Sequence, residues 1–189
     1  MGLDGWWFAA GEISIIGFQL EEAVVADKTS FTKEEWTLLL ESPMMAGMAV
    51  TAADPSGLWG LLKESFAGGT ALAKAMTDAG ANPLVKALAA DFSTSEARSA
   101  ARDGLKAKFA NSQPADVKTK SIEGLRQASA VLAAKAPGDA AAFRSWLRQI
   151  SQATAEAASE GGGLLGFGGV QVSEAEKATL AEISGALGV

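Results

Sequence analysis

The chain has 189 residues, a net charge of −6, 48% hydrophobic and 20% charged residues, which suits one globular domain with a sizeable core. It contains no histidine, cysteine or tyrosine. That removes a histidine general base, a cysteine nucleophile, a cysteine or histidine metal site and any disulfide, so a non-catalytic protein without cofactor or metal is expected.

Residues 1–27 carry Asp4, Glu12, Glu21, Glu22 and Asp27 and no lysine or arginine. The aromatic triplet Trp6, Trp7 and Phe8 opens this segment. Ile13 and Ile15 then alternate with Glu12 and Ser14, and Ile16, Phe18 and Leu20 with Gly17, Gln19 and Glu21. A period of two is a strand signal. A lone strand cannot satisfy its own backbone, and its apolar side chains would form a patch that soluble monomers avoid. Residues 1–30 therefore read as a docking segment that needs a surface, on its own bundle or on a second chain. Trp6, Trp7, Phe8, Ile16, Phe18 and Leu20 are its interaction candidates. The first basic residue is Lys28, so a secretory n-region is missing, and the stretch from Trp6 to Leu20 is too short and polar to span a bilayer. A cytoplasmic location is expected.

After residue 30 the signals are helical. Ser42-Pro43, Asp54-Pro55 and Asn82-Pro83 each place a capping residue before a proline at the first helical position. Asp116 follows Pro114 and Asp139 follows Pro137, where carboxylates meet a positive helix end. Thr32/Glu35, Ser93/Glu96 and Ser173/Glu176 have capping-box spacing. Apolar stripes run through Trp36, Leu39 and Leu40, through Leu58, Leu61, Leu62 and Phe66, and through Ala97, Ala101, Leu105 and Phe109. Two more run through Phe143, Trp146, Leu147, Ile150, Thr154 and Ala157, and through Leu180, Ile183 and Leu187. Met44, Met45 and Met48 are expected to fill the core.

The spacing predicts helices near 32–41, 43–53, 56–78, 83–91, 94–110, 114–135, 137–160 and 173–187. The fold class is all-α: a compact bundle of about seven or eight mostly short helices forming a single domain over residues 31–189, after an N-terminal extension that is either strand-like or helical.

The glycine-rich connection at 160–172 satisfies GxGxxG at Gly161, Gly163 and Gly166, but a helix precedes it where a dinucleotide loop needs a strand. It is read as a connection that folds back through Leu164, Leu165 and Phe167. The run from Gly168 to Glu176, with Leu180 and Ile183, resembles part of the tellurite-resistance TerB-like helix–loop–helix. Gly168-Gly169 stands where that family has Asp-Gly, and a helix cap gives most of this pattern, so no assignment follows.

Charge is unevenly spread. Residues 98–148 carry ten basic and four acidic residues, while residues 149–189 carry one basic and five acidic. Arg98, Arg102 and Lys106 form one i,i+4 line, and Arg144 and Arg148 form another. This patch is expected to be solvated or paired within the fold. No aromatic residue lies on these two basic lines for base stacking, so nucleic acid is not expected, and peripheral membrane contact is not favoured. The leading expectation is an interaction or structural subunit with a protein partner or self-association. The alternative is a module that binds an anionic or lipid-like small ligand.

Overall fold

The computed structural model describes residues 26–53, 74–78, 80–160 and 172–189. The strand-like pattern of residues 6–22, the stripe from Leu58 to Phe66 and the GxGxxG glycines lie outside these residues. Among the described residues the regular structure is entirely helical. A 3-10 turn, Lys28–Ser30, leads into six helices: α1 (Lys33–Ala53), α2 (Pro83–Phe92), α3 (Ser95–Lys108), α4 (Pro114–Lys135), α5 (Pro137–Glu160) and α6 (Glu174–Leu187). Residues 74–77 are also helical.

The helix starts follow local chemistry. Asn82 Oδ1 accepts from the backbone N–H of Leu84 and Val85 at 3.0 and 3.3 Å, and Pro83 occupies the first turn of α2. Ser173 and Glu176 form the reciprocal capping box of α6. Thr32 and Glu35 do the same for α1. The box expected at Ser93/Glu96 is displaced by one residue: Thr94 caps α3 by accepting from Ala97 N at 3.2 Å. Ser93 instead turns back, and its hydroxyl donates to the Ala90 carbonyl at 2.6 Å. At the other end of α6, Gly188 adopts φ +73°, the left-handed conformation that a helix C-cap favours in glycine.

The largest departure from the sequence pattern is α1, one continuous helix where two were expected, with Pro43 inside it. A proline in a helix interior cannot donate to the carbonyl four residues back, here that of Leu39. Ser42 replaces the missing donor: its buried hydroxyl donates to Leu39 O at 2.7 Å. The helix thus crosses Pro43 with that acceptor satisfied.

α1 packs along α4 and α5 and also touches α2, α3 and α6, so it is the hub of the bundle. Its buried residues run round the whole helix, from Trp36 and Leu39 to Ala49 and Val50, as befits a central helix. Met45 is fully buried, and Met44 and Met48 pack against the same core. Two glycines set the closest approaches. A Cβ on Gly124 of α4 would overlap Met45 Sδ and stand 2.8 Å from its Cε. A Cβ on Gly104 of α3 would overlap the carboxylate of Glu41. Glu41 is itself buried and takes Lys108 Nζ at 2.7 Å.

The α5 stripe is buried from Phe143 through Ile150 and at Thr154, but Ala157 is exposed. No helix among the described residues is long and apolar enough to cross a membrane.

Candidate ligand cleft

The cleft is assembled from the first described residues and the α2–α3 corner. Asp27 caps the 3-10 turn, accepting from the Thr29 N–H at 2.8 Å and the Thr29 hydroxyl at 2.6 Å. These bonds, the hydroxyl first, hold its carboxyl below the usual value. The turn delivers Phe31 against Trp36, with ring centroids 5.7 Å apart and planes tilted by 40°. It also places Lys28 Nζ 2.9 Å from Asp91 Oδ2 in the last turn of α2.

Trp36 is 3% exposed, and its indole N–H donates to the same Asp91 Oδ2 at 2.7 Å. One carboxylate oxygen therefore fixes both the tryptophan ring and the incoming chain. Burial alone would raise the carboxyl pKa of Asp91. The hydrogen bonds from Trp36 and Lys28 and the charge of Lys28 outweigh that, and the net shift is downward.

Between this pair and α3 lies a cleft of about 390 Å³. Phe31, Trp36, Leu40 and Ala97, all buried, and the half-buried Ala100 line it, with Thr32, Lys33, Thr94 and Glu96 at its exposed edge. Lys33 and Glu96 are exposed and make no ion pair among the described residues. The arrangement can accept an apolar side chain and offer one cation and one anion at its edge. Its volume falls in the range of small-ligand and side-chain pockets.

Smaller clefts also occur elsewhere among the described residues. One of about 160 Å³ lies between residues 74–85 and α5 and is lined in part by Trp146; the Trp146 indole nitrogen is buried without a partner among the described residues. Another, of about 190 Å³, lies between α5 and α6 at Arg148 and Ser184. Among the described residues no group of three acidic side chains is placed to hold a metal ion.

The candidate residues read from the sequence are distributed as follows. Trp6, Trp7, Phe8, Ile16, Phe18 and Leu20 lie outside the described residues. Arg98 is spent on the α2–α3 corner, donating to the carbonyls of Phe92 and Ser93. Arg102 lies 3.9 Å from Asp103, and Lys106 is exposed. Arg144 Nε donates to Ser129 Oγ at 2.7 Å, and Arg148 is exposed beside α6. The two basic lines sit on α3 and α5, which share no extended contact. Other basic residues of 98–148 are neutralised across the fold: Lys108 by Glu41, Lys118 by Glu182 and Lys135 by Glu35, at 2.6–2.8 Å.

Sequence reasoning placed Trp36 in a core stripe and did not single out Asp91. The two are 55 residues apart, and no local pattern links them. No family model, curated protein or solved structure matches this chain.

Proposed function

We propose that this protein is a non-catalytic interaction subunit that receives an apolar segment of a partner in the cleft beside Trp36. The observation that supports this is the preformed cleft of about 390 Å³, whose floor is fixed by the Trp36–Asp91–Lys28 arrangement. A rigid aromatic floor costs little ordering entropy on binding, and such anchors dominate interface energetics. The polar rim of Lys33, Thr94 and Glu96 would orient the incoming segment.

The test compares native mass spectra of the full-length protein isolated from its source with those of Ala100→Arg. Ala100 is half-buried on the cleft wall, so the larger side chain plugs the cleft from an edge. Loss of a retained partner in Ala100→Arg, with helical content unchanged, is the expected result. A partner retained equally by both proteins would show that the cleft is not the interface.

A second reading, an amphipathic small ligand with an anionic head, is favoured by the cleft volume and by Lys33 at its rim. In that case the retained mass would be that of a small molecule, and Lys33→Glu would weaken its retention.

A further inference from the structure

We propose that the cleft between residues 74–85 and α5 is a second binding site, for a small neutral carbonyl compound that accepts a hydrogen bond from the Trp146 indole N–H. This site does not depend on the cleft beside Trp36.

The first observation is an unmet donor. Trp146 is 6% exposed, and its indole nitrogen is buried with no acceptor among the described residues. An indole N–H can only donate, and buried tryptophans ordinarily find a partner. A buried donor left unpaired costs its desolvation with nothing returned. Trp146 itself lines the cleft of about 160 Å³. Two acceptors in the same lining are turned elsewhere. Asn82 Oδ1 takes the N–H groups of Leu84 and Val85, and Asp78 Oδ1 takes that of Gly80 at 2.8 Å.

The second observation concerns the kind of ligand. Ala142, Trp146 and Gln149 recur at i, i+4 and i+7, so α5 turns one face to the cleft. Ala75, Val85 and Ala142 bring no polar side chain to the walls. The volume has room for about five groups the size of a water molecule, which suits a short amide and not a peptide segment. Lys74 and Asp78, four residues apart, bring opposite charges to the edge. An edge without net charge selects a neutral ligand over an ion.

The third observation is the route in. The nitrogen is closed to solvent, so an acceptor reaches it only past neighbouring side chains. Lys74 and Gln149 are long and exposed, and neither side chain makes a hydrogen bond or ion pair among the described residues. Moving them aside breaks no such bond, and side-chain shifts of this kind commonly accompany binding. The frame stays fixed meanwhile, because Asn82 Nδ2 donates to Asp139 Oδ1 at 2.7 Å and holds α2 to α5.

The chain has five tryptophans, so proton–nitrogen correlation spectra of the isotope-labelled full chain carry five indole signals. The signal lost in Trp146→Phe is that of Trp146; should that variant not fold, sequential assignment identifies it. Titration with propionamide is expected to move this signal downfield and saturably, as a free N–H gains an acceptor. Propylammonium, of similar size but without an acceptor, should leave it in place, and propionate should bind severalfold more weakly than propionamide.

Ala142→Leu fills the cleft from α5 and keeps Trp146 with its signal. It should weaken the response to propionamide severalfold while circular dichroism stays helical. No saturable movement, an equal response to propylammonium, or an Ala142→Leu protein that responds like the natural one would overturn the proposal. So would a Trp146 signal that exchanges magnetisation with water and ignores every probe, since the partner would then be an ordered water only. Tighter binding of propionate than of propionamide would overturn the assignment of a neutral ligand.

Discussion

Ser42 supplies the hydrogen bond that Pro43 takes away: its hydroxyl donates at 2.7 Å to Leu39 O, the carbonyl that a residue other than proline at position 43 would have served. The pair lets α1 run unbroken through the centre of the bundle. It thereby connects Trp36, beside the α1–α3 cleft, with Val50, deep among the other helices.

Ser42→Ala should therefore lower stability by about 1–3 kcal/mol, the cost of a buried unsatisfied carbonyl. In a Pro43→Ala background the same change should cost markedly less, since an alanine at that position restores the backbone donor. Denaturant midpoints of the four proteins form a double-mutant cycle, and strict additivity would show that the hydroxyl is not the replacement donor.

Lys108→Met leaves the Glu41 carboxylate buried without its cation. The expected loss is about 2–3 kcal/mol, below the roughly 3–5 typical of a fully buried pair, because the Lys108 side chain keeps 30% of its surface in water. Lys135→Met, which breaks the more exposed pair with Glu35, should cost less than Lys108→Met. Chemical denaturation of both variants checks the order.

Gly104→Ala forces a methyl group into the space of the Glu41 carboxylate and should destabilise by about 1–3 kcal/mol. In a Glu41→Ala background the cost should largely vanish, because the overlapping group is gone. A persisting cost, read from thermal or denaturant unfolding, would place the strain elsewhere.

Asn82→Ala should cost about 1–2 kcal/mol, in the upper part of the range for lost N-caps. Its side chain accepts from two backbone N–H groups of α2 and also donates to Asp139 Oδ1 at 2.7 Å, tying α2 to α5. Ser173→Ala removes a cap within one helix and should cost less. Paired midpoints measured under one condition test the ranking.

Asp91 supplies a pH dependence. Its carboxyl is held below its ordinary value of 3.8, so the folded state binds its proton more weakly than the unfolded chain does. Its contribution to stability is fully present above about pH 4 and is lost as pH falls through the lower, folded value. Asp91→Asn should be less stable than the natural protein at neutral pH, and the gap should narrow below about pH 4. A gap independent of pH would mean that Trp36 and Lys28 together do not favour the charged carboxylate.

Much of the helical framework was determined by the sequence itself. Asn82-Pro83, Ser173/Glu176 and Thr32/Glu35 mark helix starts through contacts within four residues, and the stripe from Phe143 to Ile150 marks a buried face through a period near 3.6. Such signals are local, so they survive without knowledge of the rest of the chain. Tertiary structure decided what depends on distant partners. Pro43 reads as a stop, yet five surrounding helices make α1 worth continuing, and a serine hydroxyl repairs the gap. Trp36 and Asp91 meet across 55 residues, and Lys108, Lys118 and Lys135 find Glu41, Glu182 and Glu35 on other helices. An ion pair or a cleft forms where helices happen to pack, and the packing geometry of α1, α2 and α3 is not encoded in any one of them.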